Sequence, residues 1–240
     1  MELTDRIRNK WFDEPLDTQL WKTYYEYTAL ATLRFCYGDM YQHLHHADAP
    51  DLQDLVHSVG IEVVNSISAA EAQAEGEMLK YPTLRTEKQK AKSKKKIEEY
   101  MDDFDEYGTL YPDRFLGHEW KEMTSAFQHK LKKVAKYQEN GFEKLGLLIY
   151  HPQFIFPETE EKFAAWLVDA AKDSDAQDAQ FDFVYILPQY SRCNSGILYY
   201  DFISGEAGSV KVSHEDMRAL HTLGRMTAEG EIKEDDPEWI

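Results

Sequence analysis

Two acids in this chain have the type and spacing to do chemistry: Asp51 and Glu62, with ten residues between them. Asp51 ends the turn-forming run Ala47-Asp48-Ala49-Pro50-Asp51. Glu62 sits inside Gly60-Ile61-Glu62-Val63-Val64-Asn65-Ser66-Ile67, a β-branched stretch bounded by Gly and Ser that reads as a buried strand. A carboxylate in so apolar a strand is costly unless a partner or a metal compensates it. Residues 52–56 read as a short strand, and pairing it with the second segment brings both acids to one sheet edge. Two carboxylates meeting there suit a hard divalent cation such as Mg²⁺ or Mn²⁺, which takes oxygen ligands and keeps several waters. Each acid also has a plainer reading. Asp51 can be a turn residue after Pro50, and Glu62 one half of a buried salt bridge with Lys or Arg.

The elements that must position these acids follow from periodicity. Thr18 can cap a helix through Leu20, Trp21, Tyr24, Tyr25, Thr28 and Ala31 toward Phe35, with Glu26 on it, because apolar residues recur at helical spacing. Residues 40–44 read as extended. Ser68 and Glu71 form a capping box for a helix that Pro82 ends. Residues 83–112 read as a charged insertion, partly helical. Trp120, Met123, Phe127, Leu131 and Val134 predict one amphipathic helix over 118–137, with Lys130, Lys132, Lys133 and Lys136 on its wetter side. Strands are predicted at 145–150, 181–187 and 196–202, with a helix at 159–172. Ser213 with Asp216 caps a last helix through Met217, Leu220, Leu223 and Met226, and an acidic tail at 229–240 reads as loose. This order predicts a single α/β domain over 1–240, a three-layer sandwich whose mixed central sheet is flanked by helices.

Pro50-Asp51, the ten-residue gap and Gly60-Ile61-Glu62-Val63-Val64 resemble the PD-(D/E)XK phosphodiesterase motif. Glu26, on the preceding helix, stands where many members carry a helical acid, and residues 145–150 resemble the fourth core strand. The resemblance covers chiefly residues 18–80. It implies a restriction-endonuclease-like core and a nuclease in which Asp51 and Glu62, with the backbone carbonyl of Val63, hold Mg²⁺ or Mn²⁺ that activates water and steadies the leaving phosphate. The motif's lysine, two residues after the Glu, corresponds to Val64, which can neither orient water nor neutralise charge. Some similar proteins move that role to the following helix, where Gln73, Glu75 and Lys80 are the candidates. The expectation is therefore a divalent-metal-dependent nuclease or nuclease-like phosphodiesterase acting on nucleic acid, its site drawn from Asp51, Glu62, Glu26, Gln73 and Lys80. Val64 and the acidic surface motivate the alternative, a catalytically inactive nuclease-fold protein that acts as an interaction or inhibitor module for a basic protein partner.

Composition bounds both readings. Twenty-seven basic residues face 44 acidic ones, a net charge of −17, and such a field repels phosphate over most of the surface. The exception is residues 84–96, where seven basic residues and one acid give a local +6 and leave −23 on the rest. No stretch approaches the roughly 20 apolar residues that cross a bilayer, and the start Met1-Glu2-Leu3-Thr4-Asp5 lacks the pattern of a secretory signal. With Cys36 and Cys193 unaccompanied by any CxxC pair, the expectation is a cytoplasmic protein with free thiols. His43, His45 and His46 beside Asp48 read as a surface cluster rather than a zinc site, because neighbours 45 and 46 diverge on a strand. Neither a Gly-rich phosphate loop nor a nucleophile elbow is present.

Overall fold

The computed structural model describes residues 19–66, 77, 81, 84–98, 119–151, 160–172, 180–188, 195–236 and 239. The chain forms two compact units, Met1–Lys22 with Ile67–His118, and Thr23–Ser66 with Glu119–Ile240. In chain order the helices are α1 (Gln19–Tyr37), α2 (Glu87–Glu98), α3 (Glu119–Leu131), α4 (Val134–Glu139), α5 (Glu160–Lys172) and α6 (His214–Ala228). The strands are β1 (His45–His46), β2 (Leu52–Asp54), β3 (Val59–Asn65), β4 (Lys144–His151), β5 (Phe183–Pro188), β6 (Ser195–Asp201) and β7 (Ala207–Val212).

In the first unit, α2 carries the lysine run. Its start is a reciprocal cap: Gln89 N donates to Thr86 Oγ1 at 3.2 Å and Thr86 N donates to Gln89 Oε1 at 3.2 Å, which satisfies two backbone N–H groups at the helix end. Ser93 and Ile97 are its buried positions.

The second unit is built on one seven-stranded mixed sheet in the order β1 to β7. β3, β4 and β5 run parallel at its centre, and antiparallel pairs β1–β2–β3 and β5–β6–β7 extend it on both sides. Alternation along β4 sends its side chains to two helical layers. Leu145, Leu147 and Ile149 join Met123 and Phe127 of α3, Tyr137 of α4 and Phe163 of α5 in one apolar core. Tyr150 faces the other way, its ring 4.6 Å from that of Tyr25 on α1 and 6.2 Å from that of His221 on α6. No helix among the described residues is long and apolar enough to cross a membrane.

Three expectations are corrected and one strand, β7, is added. Residues 40–44, read as extended, instead turn, with Tyr41 N donating to Gly38 O and Leu44 N to Tyr41 O, both at 3.0 Å. The helix expected over 118–137 is two helices, because the chain turns at Lys132–Lys133, where Lys133 N donates to Lys130 O at 2.9 Å. β7 was not legible in the sequence. Its Ala-Gly-Ser-Val-Lys-Val run lacks alternation, and Gly208 is there because the Tyr199 ring lies across it, 2.7 Å from where a Cβ would stand. Within the tail at 229–240, expected to be loose, Trp239 is docked: it is buried and donates from Nε1 to Thr227 Oγ1 at 2.8 Å, while the Arg34 guanidinium lies 4.8 Å from its ring centre. Glu234 accepts from Arg34 and from the His46 amide, both at 3.1 Å.

Helices α1 and α6 touch backbone to backbone. A Cβ on Gly224 would stand 2.8 Å from Thr28 N and 3.0 Å from its Cα, and backbone cannot swing aside as a flexible side chain can. Gly224→Ala therefore lowers stability by about 1–3 kcal/mol in denaturant titration, although alanine favours helix over glycine.

Beside this contact His221 is buried, its Nδ1 2.7 Å from Tyr24 Oη and 3.2 Å from Tyr150 Oη. Burial pulls its pKa down to about 4, below the ~6.5 of an unfolded chain. The unfolded state thus takes up this proton first as pH falls. Stability is full above about pH 6.5 and is lost toward about pH 4, by roughly 3 kcal/mol. The difference in stability between the wild type and His221→Leu, followed by urea titration from pH 7 to pH 4, shrinks by that order in favour of the variant.

Candidate functional site

The geometry begins with the β2–β3 register. Leu52 pairs with Ile61, Gln53 with Gly60 and Asp54 with Val59, so one further step sets Asp51 opposite Glu62, and directly opposed residues share a sheet face. Pro50 holds that step. Its Cγ would lie 2.5 Å from a Cβ on Gly60, so only glycine lets the turn pack this closely. The turn is tied further by Ala47 N donating to Asp51 O at 2.8 Å and by Gln53 Nε2 donating to Pro50 O at 3.1 Å.

Asp51 is buried, and its Oδ2 accepts from Val63 N at 2.8 Å. Since the N–H and C=O of one strand residue point to the same edge, the Val63 carbonyl also points to the side where Asp51 lies. Glu62 faces α3 and α4, on the same face as its partner Leu147. Its Oε1 accepts from Lys130 of α3 and, at 2.8 Å, from Lys133 in the turn, and its Oε2 accepts from the Tyr137 hydroxyl of α4. Glu26 on α1 is buried too, its Oε2 2.7 Å from His46 Nε2. Among the described residues, no three His, Cys, Asp or Glu side chains are arranged to hold a metal ion. The oxygen donors are instead two opposed carboxylates and one carbonyl, which fits a hard cation that keeps much of its water.

The electrostatics separate the two acids. Burial pushes Asp51 up to about 6, and the negative charges of Glu62 and Glu26 add to this against the Val63 amide and Lys130. Burial would raise Glu62 as well, but Lys130, then Lys133 and Tyr137, hold it below the usual carboxylate range. Glu62 in turn holds the Lys133 ammonium above its ordinary value, although burial works the other way. The Tyr137 phenol is raised by burial and by Glu62.

The sequence-predicted residues thus fall into three groups. Asp51 and Glu62 come together, and Glu26 is near enough for its charge to raise Asp51. Gln73, Glu75 and Lys80 lie outside the described residues, as does Cys193. Val64 packs against the apolar core, as an uncharged side chain there must. The plain reading of Glu62 as a salt-bridge partner is realised, with Lys130 and Lys133. Sequence reasoning placed both lysines on the wetter side of a helix, yet the Lys130 side chain is only 14% exposed. The missed signal was the spacing of Lys130, Lys133 and Tyr137 opposite an unexplained strand acid. Comparison of the chain with protein-family models, with curated proteins and with solved structures gives no match.

Removing one member of a buried ion pair leaves the other uncompensated, at a cost of about 3–5 kcal/mol when fully buried. Lys130→Met keeps Lys133 and Tyr137 on Glu62, so a loss of about 2–4 kcal/mol in thermal or chemical unfolding is expected. Lys130→Met combined with Glu62→Leu recovers part of it, because an apolar pair of similar volume needs no charge compensation.

Proposed function

We propose that the chain is a divalent-metal-dependent, nuclease-like phosphodiesterase, with Asp51, Glu62 and the Val63 carbonyl as the oxygen ligands of Mg²⁺ or Mn²⁺. The observation that carries this reading is the approach of Asp51, one residue before β2 and bonded to the Val63 amide, to Glu62 on β3, beside the inward-turned Lys130. It is supported by element order: α1, the β1–β2–β3 meander, the helices α2, α3 and α4, and then β4 parallel to β3 agree with the preceding helix and the fourth core strand of the restriction-endonuclease-like resemblance. A cation bound by these groups would supply Lewis-acid polarisation of a phosphoryl oxygen and an acidified water.

The chain's own residues then have separable roles. Asp51 and Glu62 carry the negative charge that attracts the cation. Lys130 takes the part that Val64 cannot, reaching the same carboxylate from α3 rather than from β3. Lys133, whose side chain is 43% exposed, is the ammonium best able to turn from Glu62 to a phosphate. Glu26, held by His46, keeps a third acid close to Asp51 and strengthens the demand for a cation.

One observation favours the second reading, an inactive nuclease-fold module that binds a basic protein. Both Glu62 oxygens already accept from Lys130, Lys133 and Tyr137, an arrangement that is complete without metal. Calorimetry with Mn²⁺ and cleavage assays on single- and double-stranded DNA and RNA decide between the two. The first reading expects Mn²⁺ binding that Glu62→Ala abolishes, and cleavage that Asp51→Ala and Glu62→Ala abolish and Lys130→Ala lowers by about 10²–10³-fold, the loss typical of one charge-stabilising donor. Cleavage that survives both acid substitutions overturns it, and absence of both binding and cleavage leaves the interaction module.

A further inference from the structure

The sequence groups His43 with His45 and His46, but the fold regroups them. His46 is bound to Glu26, and the imidazole brought beside His43 is His57, from the β2–β3 turn, with ring centres 5.7 Å apart. We propose that His43 and His57 form a surface site for a borderline transition-metal dication of the zinc class, oriented by Asp54. The proposal does not rest on the phosphodiesterase reading.

Three observations carry it. First, the spacing suits a shared ion. With metal–nitrogen distances of about 2.0–2.1 Å, each ring centre stands about 3.3 Å from the metal, and two rings at a tetrahedral angle are then about 5.4 Å apart. Second, the tautomer of His57 is set. Its Nδ1 lies 2.8 Å from Asp54 Oδ2; a carboxylate only accepts, so Nδ1 carries the hydrogen and the Nε2 lone pair is left for a ligand. A carboxylate bonded to the far nitrogen of a metal-binding imidazole is the usual supporting arrangement, and it raises the basicity of the ligating atom. Third, the support is rigid while the donors are open. Asp54 is 1% exposed and its Oδ1 accepts from Val56 N at 2.9 Å and His57 N at 3.0 Å, whereas the His57 side chain is 55% exposed and His43 is exposed as well.

Two imidazoles supply half of a tetrahedral shell, and water completes it. Nitrogen donors also separate this site from the carboxylate pair, because Mg²⁺ prefers oxygen and leaves imidazole to zinc, copper or nickel. The test is calorimetric titration of the full chain with Zn²⁺, in a non-coordinating buffer containing excess Mg²⁺. Saturable uptake of one Zn²⁺ is expected. His43→Ala and His57→Ala should each weaken it at least about tenfold, and Asp54→Asn, which can turn the tautomer, about 10–100-fold; His45→Ala should leave it unchanged. His43 is exposed, so His43→Ala should melt like the wild type, whereas His57→Ala, which takes a partner from the buried Asp54, should melt somewhat lower while keeping the native circular dichroism spectrum; the two variants together separate lost binding from lost fold. No saturable uptake, or uptake that persists unchanged in both His43→Ala and His57→Ala, overturns the proposal.

Discussion

A carboxylate buried in an apolar strand is the constraint around which one side of the sheet is organised. Glu62 is 1% exposed, and an ionised group so placed must be neutralised by hydrogen-bonded partners or give up its charge. The chain supplies three donors from one stretch: Lys130, Lys133 and Tyr137. Their spacings of three and four residues would align them on a single helix. Here they converge although the helix is interrupted between Leu131 and Val134. Apolar packing holds α3 and α4 on the sheet, and Glu62 selects the register at which they sit. A leucine at this position would satisfy the packing and forfeit that selection, which is the use best attested for buried charge.

The second constraint lies in the turn before β2. Asp51 could bond Val63 N only if the chain arrived at β2 in one alignment, and Pro50 lying on Gly60 enforces it. Two neighbouring elements continue the same work at the sheet's edge. α1 contributes Glu26, and the C-terminal segment contributes Glu234, which accepts from both Arg34 and the amide of His46. The edge strand β1, only two residues long, is thereby fastened at backbone and side chain, which a strand so short needs.

Much of this arrangement was legible in the sequence, and the illegible parts share a cause. The central strands were readable because β-branched and apolar runs bounded by glycine and serine have few alternatives. β3 and β4 lie within a residue or two of their predicted limits. The final helix was readable from Ser213, whose Oγ accepts from Asp216 N at 3.0 Å. Asp51 and Glu62 stood out because an acid among β-branched residues demands an explanation, and their opposition followed from a hairpin. What escaped were relations between segments far apart in sequence. Lys130 looks like any solvated lysine until the strand acid 68 residues earlier is known to face it. The pairing of His57 with His43 depends on how the β2–β3 turn folds back, which periodicity cannot report. β7 escaped because small residues weaken alternation where a tyrosine from the next strand needs room.

Charge counting shows how the carboxylates and the lysines can belong to one site. Glu26, Asp51 and Glu62 contribute three negative charges at neutral pH, since even the raised Asp51 titrates near 6, and Lys130 and Lys133 return two positive ones. Their formal charges sum to −1 before any contribution from His46, on a chain whose net charge is −17. Such a locus repels a phosphodiester. On the metal-dependent reading, one divalent cation would bring the sum to +1 and would compete with the ammonium groups for Glu62, leaving Lys133 to meet a phosphate oxygen. Affinity for a polyanion at this edge would then depend on the cation, and outside residues 84–96 the acidity of the chain would discourage other modes of binding. Glu26, bound to His46 and close enough for its charge to raise Asp51, is an acid that the salt bridges of Glu62 do not involve, and on the same reading it would add to the pull on a cation.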